Sequence, residues 1–130
     1  MTLIDSNILL DIVTDDAVFA APSLARLEAA SLTGPLVIND IVYAELSVRY
    51  PTKEALDAFV QGVGLRTAPL TPEALFLAGK AFLRYRKAGG TRTGVLPDFF
   101  IGAHAAVTGL NLMTRDVARY RTYFPTVSLV

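Results

Sequence analysis

The sequence predicts an α/β fold, a three-layer sandwich in which a mainly parallel central sheet is flanked by helices. Two observations predict the layers. Short apolar runs rich in valine, isoleucine and leucine end in polar or acidic residues, which is typical of strands buried on both faces of a parallel sheet. Longer segments with helical spacing lie between these runs. The length of 130 residues, without a repeat or linker, predicts a single domain over residues 1–130.

Four apolar runs are predicted to form the strands. They read TLID near the N-terminus, PLVIND from Pro35, GLNLMTRD from Gly109 and TVSLV at the C-terminus. In open parallel sheets, the reactive crevice forms beyond the carboxyl ends of the strands. Asp5 and Asp116 are predicted to lie at that edge.

Six segments with helical spacing are bounded by capping residues, prolines or glycines. They are predicted over residues 17–30, from Asp40 to near Pro51, from 52 to Gly62, from Pro72 to about 88, over 97–109 and after Asp116. Thr71 is the predicted N-cap of the helix that has Pro72 at its first position.

The composition excludes several classes of site. With no cysteine and one histidine, the chain has neither disulfides, thiolate zinc sites nor a cysteine nucleophile. Asp5 and Asp11 interrupt the N-terminal apolar stretch, so no signal peptide is predicted. The longest uncharged run, residues 99–114, is shorter than the roughly 20 residues of a spanning helix. We therefore expect a cytoplasmic protein without a membrane segment.

Charge is unevenly distributed although the formal net charge is zero. Eight of the twelve basic residues lie from Lys80 onward, where Asp98 and Asp116 are the only acids. Such asymmetry favours a polyanionic partner near the C-terminal half, and its alternative is an ordinary solvated face.

Four acidic residues stand where they could line a site. Asp5 follows the first strand, and Asp116 lies two residues beyond the run NLMT. Asp98 lies in the first turn of a helix, directly after a proline. Each of these three could instead cap a helix, because exposed backbone N–H groups favour an acid there.

Glu45 is the fourth acid, and helical spacing places it on one stripe with Ile41, Val42 and Val48. A carboxylate on an apolar face is costly unless it is paired or binds a cation. The alternatives are an ion pair with Arg49 or a side chain that reaches solvent.

Four converging carboxylates repel one another unless a multivalent cation offsets their charge. A site built from oxygen ligands suits Mg²⁺ or Mn²⁺ better than zinc or copper. If the four acids meet, the sequence therefore predicts a divalent-metal site.

The segments LIDSNILLDI, YAEL, LPDFFIGAHA and LMTRD resemble, in order and spacing, four signature segments of PIN-domain proteins. They are most similar to the VapC-like toxin ribonucleases of toxin–antitoxin pairs. The resemblance implies a PIN-like fold and Mg²⁺-dependent hydrolysis of RNA, with Mn²⁺ as a possible substitute. It also implies inhibition by a small cognate antitoxin protein and assembly as a homodimer.

The resemblance also implies roles for individual residues. The catalytic and metal-binding acids would be Asp5, Glu45, Asp98 and Asp116. Ser6 and Thr114 would support them.

Residues outside these acids are interpreted more simply. Arg86, Arg92 and Arg115 are the candidates for contacts with RNA phosphates. His104 is interpreted as structural, since metal chemistry does not require it. Ser6 and Asn7 are also predicted to cap the helix that follows Asp5.

The helix that begins at Pro72 is predicted to be apolar on two sides. One stripe holds Leu75, Ala78, Phe82 and Tyr85, and another holds Phe76 and Leu83. Such a helix is either fully covered by the core or requires a second partner surface. The resemblance favours the partner surface.

Other functions remain open at this point. A haloacid-dehalogenase-like site needs a second aspartate where Asn7 stands, and a receiver domain needs paired acids and a late lysine that do not occur at the required places. A PIN-like module that binds RNA or protein without cutting it is the remaining alternative.

Overall fold

The four strands form one parallel sheet. A computed structural model of the chain describes residues 1–92 and 94–130, so only Thr93 lies outside the described residues. The strands are β1 (Thr2–Ile4), β2 (Leu36–Ile38), β3 (Leu65–Thr67) and β4 (Asn111–Met113). Their order across the sheet is β3-β2-β1-β4, and every neighbouring pair is parallel. The prediction of a parallel sheet is confirmed.

The register places the carboxyl ends of the inner strands at one edge. Thr2 lies opposite both Leu36 and Asn111. The N–H of Asp5 donates to the carbonyl of Met113 over 2.9 Å. The residues that leave β1 and β4 therefore begin side by side, as the topology of such sheets requires.

In the described part of the chain, seven helices flank the sheet. They are α1 (Ser6–Val13), α2 (Ala20–Ser31), α3 (Asp40–Ser47), α4 (Lys53–Val63), α5 (Pro72–Lys87), α6 (Leu96–Thr108) and α7 (Val117–Tyr123). Strands and helices together confirm the predicted α/β sandwich.

Two helix boundaries differ from prediction for local reasons. The Asp16 carboxylate accepts hydrogen bonds from the N–H groups of Val18 and Phe19 at 2.9 and 2.8 Å. This turn moves the start of α2 from residue 17 to Ala20. Helix α3 ends at Ser47, one turn earlier than the approach of Pro51 suggested.

Two strand predictions also need correction. β3 was not predicted, because it is an edge strand in which only Leu65 is buried and no apolar run marks it. The predicted C-terminal strand TVSLV contributes a single parallel bridge between Leu129 and Leu112.

The caps confirm one prediction and contradict another. The Thr71 side chain accepts from the N–H of Ala74 at 3.2 Å, as predicted for the start of α5. The prediction that Ser6 and Asn7 cap α1 is wrong, since both lie inside the helix and the N-cap residue is Asp5. Their side chains turn instead toward Glu45 and Thr114.

Helix α5 packs on α6 through small residues. Ala74, Ala78 and Ala81 are fully buried, whereas Leu75 and Phe76 are exposed. Of the predicted stripe, Leu75 is therefore wrong, whereas Ala78 is buried and Phe82 and Tyr85 pack partly buried against the core. Among the described residues, no helix is both long and apolar enough to cross a membrane.

Candidate functional site

Asp5 is the most buried acid of the site, with 3% of its surface exposed. Its Oδ2 accepts from the Thr114 hydroxyl at 2.8 Å and from the Tyr120 hydroxyl at 3.1 Å. The Ser6 hydroxyl lies 3.4 Å from Oδ1. Burial raises the pKa of Asp5 and these hydrogen bonds oppose the rise. The carboxylate is thus fixed in place at the end of β1.

Glu45 reaches the same region from the middle of α3. The Ser6 hydroxyl donates to its Oε1 at 3.0 Å, so one serine joins Glu45 to Asp5. Desolvation by burial is the main cause of the raised pKa of Glu45, and repulsion from Asp5 and Asp98 raises this pKa further. The predicted stripe needs correction, because Val48 is exposed and the buried face of α3 consists of Val42 and Leu46.

Asp98 lies in the first turn of α6, and its side chain is 23% exposed. Desolvation, followed by repulsion from Asp5, raises its pKa to about 6. The guanidinium of Arg119 contacts its Oδ2 and acts in the opposite direction. A carboxyl that is destabilised in its charged form is a common property of functional sites.

Asp116 occupies the N-cap position of α7, but its side chain makes no capping hydrogen bond. Its Oδ2 accepts from Arg119 Nη1 at 3.1 Å. Its charge raises the pKa of both Asp5 and Asp98. Asp116 therefore lies close enough to Asp5 and Asp98 for its charge to act on both.

Thr114 connects the chain segments that carry these acids. Besides donating to Asp5, its hydroxyl oxygen accepts from the N–H of Asp116 at 3.0 Å and from Asn7 Nδ2 at 3.3 Å. The side-chain oxygen of Asn7, Oδ1, in turn accepts from the backbone N–H of Arg115 at 3.3 Å. These bonds hold the segment after β4 against the start of α1.

The three arginines predicted to contact RNA phosphates make intramolecular contacts in the structure. Arg115 forms a bidentate ion pair with Asp11 at 2.8 and 2.9 Å, and its guanidinium stacks on Phe19 at 3.9 Å from the ring centroid. Arg86 lies over the Phe82 ring, and the backbone N–H of Arg92 donates to Tyr85. None of these contacts involves the four acids. The arginine that reaches them is Arg119, which was not predicted.

His104 is buried in α6, and its Nδ1 lies 3.2 Å from Asn39 Nδ2. The side-chain oxygen of Asn39, Oδ1, caps α3 by accepting from the backbone N–H of Val42. Desolvation lowers the pKa of His104, which favours the neutral ring. These contacts support a structural role.

Arg119 and Tyr120 contact the acids and were missed by the sequence interpretation. They follow Asp116 by three and four residues, so a helix starting there presents all three on one side. Their spacing from Asp116, the hydroxyl group of Tyr120 and the charge of Arg119 were the sequence features that could have indicated these contacts.

Together, Asp5, Glu45, Asp98 and Asp116 are called the acidic cluster. Their carboxylates, with the three hydroxyl groups nearby, form the all-oxygen donor set that hard divalent ions prefer. Within residues 1–92 and 94–130, no three acidic or histidine side chains are grouped closely enough to hold a metal ion in this arrangement. The donor chemistry fits Mg²⁺ or Mn²⁺, while the arrangement of side chains includes a guanidinium between two of the acids.

The comparisons with known proteins agree with this geometry. A family model for the PIN domain matches residues 2–125. No protein of curated function matches the chain in sequence.

Three solved structures illustrate the structural similarity. VapBC2 from Rickettsia felis, bound to a DNA fragment from its promoter, has a TM-score of 0.74 at 19% identity, covering 99% of this chain and 96% of that chain. VapBC-1 from nontypeable Haemophilus influenzae has a TM-score of 0.71 at 17% identity, with the same coverage of both chains. FitAcB from Neisseria gonorrhoeae has a TM-score of 0.67 at 16% identity, also covering 99% of this chain and 96% of that chain. At this identity the likeness shows the fold.

Proposed function

The chain belongs to the PIN domain family, and from this premise we propose that it is a Mg²⁺-dependent endoribonuclease toxin, hydrolysing RNA phosphodiester bonds in the cytoplasm. The observation that supports the proposal most is the meeting of the acidic cluster at the carboxyl edge of the sheet. Desolvation raises the pKa of Asp5, Glu45 and Asp98, and the charges of neighbouring acids of the cluster add to each of these shifts. Such an arrangement costs stability unless a cation is bound.

Asp5, Glu45 and Asp98 would hold the metal, directly or through water, and Asp116 would support a second ion or the attacking water. A divalent ion supplies an activated water and neutralises charge on the phosphate. Ser6 orients Glu45, while Thr114 and Tyr120 orient Asp5. These neutral donors fix the carboxylates without removing their charge.

Arg86, Arg92 and Arg115 remain the proposed phosphate contacts, with a restriction on Arg115. Its Nε and Nη2 are used by Asp11, so its contact with RNA must come from the rest of the guanidinium. The RNA backbone carries one charge per nucleotide, and basic side chains supply most of the binding free energy for such ligands.

The proposed partners are a small cognate antitoxin protein and a second copy of the chain. The similar structures are VapBC and FitAB complexes, which supports an antitoxin partner here. Helix α5 leaves Leu75, Phe76 and Leu83 exposed, and large apolar side chains at a surface favour protein contacts. The oligomeric state is measured by light scattering on the purified protein, with and without a co-expressed antitoxin.

Cleavage of a mixed RNA pool tests the enzymatic proposal. Protein in Mg²⁺ or Mn²⁺ is compared with protein in EDTA and with Asp5→Asn and Asp98→Asn variants. Asp57→Asn is the matched control, because Asp57 pairs with Lys53 on the exposed side of α4. We expect cleavage by wild type and by the control only.

The alternative function is a PIN-like module that binds RNA or protein without cutting. The observation that favours it is the guanidinium of Arg119 between Asp98 and Asp116. RNA binding without cleavage in every metal tested would support this alternative, and cleavage that persists in EDTA and in both variants would exclude a metal nuclease.

A further inference from the structure

Arg119 lies inside the acidic cluster. Its Nη1 contacts Asp98 Oδ2 and lies 3.1 Å from Asp116 Oδ2, so one nitrogen joins two carboxylates. Asp98 lies in the first turn of α6 and Asp116 precedes α7. A guanidinium is planar and carries several donors, yet here a single nitrogen serves both acids in the way that a bound ion would.

Arg119 is also the main source of positive charge at this place. Among the described residues, the other ion pairs join Lys53 to Asp57 and Arg115 to Asp11, and neither pair includes an acid of the cluster. One arginine therefore faces four acids, and the Arg119 side chain is only 19% exposed. Charges that are partly removed from water interact more strongly than surface charges do.

From these contacts we infer that Arg119 is an intramolecular counter-ion that occupies the cation position between Asp98 and Asp116, and that it must leave before a divalent ion binds there. The inference rests on the proposed function for the identity of the ion. Arg119 Nη1 occupies the position between the two oxygens, so a metal ion that bridges the same pair would meet it there and be repelled by its positive charge. Arg119 sits three residues from Asp116 on a short helix, and its long side chain can turn to solvent without moving the backbone.

The inference also accounts for the arrangement of the acids. In the described residues no three acidic side chains are grouped to hold a metal ion. A guanidinium keeps its two carboxylates farther apart than a small ion does, because its nitrogen–oxygen contacts of about 2.8 Å exceed the roughly 2.1 Å of Mg²⁺–oxygen bonds. Departure of Arg119 would therefore let Asp98 and Asp116 close around the smaller ion.

The test compares Mn²⁺ binding by wild type, Arg119→Gln and Arg121→Gln, each first stripped with EDTA and dialysed. Arg121 is the matched control, since it is an exposed arginine on the same helix. Calorimetry and the electron paramagnetic resonance signal of free Mn²⁺ give the affinity without any assay of cleavage. We expect Arg119→Gln to bind Mn²⁺ roughly three- to tenfold more tightly than wild type, and Arg121→Gln to match wild type.

Thermal unfolding gives a second readout that also checks folding. In EDTA, Arg119→Gln should unfold at a lower temperature, because its acids have lost their counter-ion. Added Mn²⁺ should raise its unfolding temperature by more than it raises that of wild type. A variant that binds Mn²⁺ as wild type does, or more weakly, would overturn the inference, as would binding by neither protein.

The two proposals can fail separately. If wild type cleaves RNA but Arg119→Gln gains no metal affinity, the counter-ion inference fails and the nuclease stands. If Arg119→Gln gains affinity while no RNA is cleaved in any metal, the inference stands and the nuclease proposal fails.

Discussion

At the residue scale, the site is built from charged acids held by neutral hydroxyl groups. Ser6, Thr114 and Tyr120 come from three parts of the chain and all reach Asp5. Burial raises the pKa of this carboxyl, and the Thr114 and Tyr120 hydroxyls lower it again by donating to the charged form. The Thr114 and Tyr120 hydroxyls therefore favour the charged form of a carboxyl whose charged form burial disfavours.

Tyr120→Phe tests this role directly. The change removes one donor 3.1 Å from Asp5 and leaves the buried ring in place. We expect the free energy of unfolding to fall by about 1–2 kcal/mol, since a buried carboxylate loses a hydrogen bond. The proposed cleavage rate should also fall, because the pKa of Asp5 rises further.

Tyr123→Phe is the control for that variant, since Tyr123 lies on the same helix and packs its ring on Phe99. Urea denaturation in EDTA gives the stability and a gel-based RNA assay gives the rate. Equal losses in both variants would show that the Tyr120 hydroxyl has no special role.

Asp98 gives the metal-free protein a predictable dependence on pH. Its pKa is raised from 3.8 to about 6, so the folded state binds its proton more tightly than the unfolded chain does. The stability from this proton is fully present below about pH 4 and is lost as pH rises through 6. Asp98→Asn cannot titrate, so its free energy of unfolding should rise relative to wild type between pH 4 and pH 7, by at most about 3 kcal/mol.

Urea titrations in EDTA at several pH values measure this difference. The difference between Asp57→Asn and wild type should stay nearly constant over the same range, because hydrogen bonds from Lys53 and Tyr43 lower the pKa of Asp57 and its contribution to stability changes only below about pH 4. A difference between Asp98→Asn and wild type that stays constant from pH 4 to pH 7 would contradict the assigned environment.

At the scale of elements, the position of α7 against α6 decides where Arg119 and Tyr120 point. Phe124, the C-cap residue directly after α7, packs its ring on α6 at Gly102. A Cβ at Gly102 would lie 2.3 Å from Phe124 Cδ2, closer than any packed carbon pair. The small residue at this position therefore sets the distance between the helix that carries Asp98 and the helix that follows Asp116.

Gly102→Ala and Gly79→Ala form a matched pair that tests this packing. Gly79 lies in α5, and a Cβ there would have no neighbour within 4 Å. We expect Gly102→Ala to destabilise the protein by about 1–3 kcal/mol through overpacking. Gly79→Ala should stabilise it by up to about 1 kcal/mol, since alanine is the better helix former.

Urea denaturation of both variants supplies the comparison. If Gly102→Ala proves as stable as Gly79→Ala, α6 and α7 are not in close contact at this point. The counter-ion inference, which depends on the position of Arg119 on α7 beside Asp98 on α6, would then lose its geometric support as well.

The sequence predicted the acids better than it predicted their neighbours, for a reason visible in the elements. Asp5 and Asp116 follow strands, and parallel topology alone brings strand ends together. Glu45 and Asp98 lie on helices whose approximate bounds the sequence indicates through Asp40, Pro97 and Gly109. Arg119 and Tyr120 were missed because their partners are distant in sequence, so only the packed position of α7 shows which of its side chains face inward. β3 was not predicted because only one of its residues is buried, so no apolar run marks this edge strand in the sequence.

At the scale of the whole molecule, the basic excess after Lys80 is partly used within the fold. Arg115 pairs with Asp11, Arg119 lies in the acidic cluster, and Arg84 donates to the carbonyl of Tyr123 at 3.3 Å. What remains for an external polyanion is a smaller set on α5, on the loop before α6 and on α7. Its members are Lys80, Arg86, Lys87, Arg92 and Arg121. The whole-chain charge asymmetry therefore overstates the number of basic side chains open to RNA.

Salt dependence measures how many of these side chains contact RNA. Binding of a fluorescent single-stranded RNA to the Asp5→Asn protein should weaken steeply with salt, because each phosphate contact releases condensed counterions. Arg86→Gln and Arg92→Gln should each reduce the slope of log affinity against log salt by roughly 0.7. Arg66→Gln is the control, since Arg66 is an exposed arginine on the edge strand β3, and it should leave the slope unchanged. Affinity that does not respond to salt would remove the basic surface from the mechanism, and equal slopes in all variants would place the RNA elsewhere on the protein.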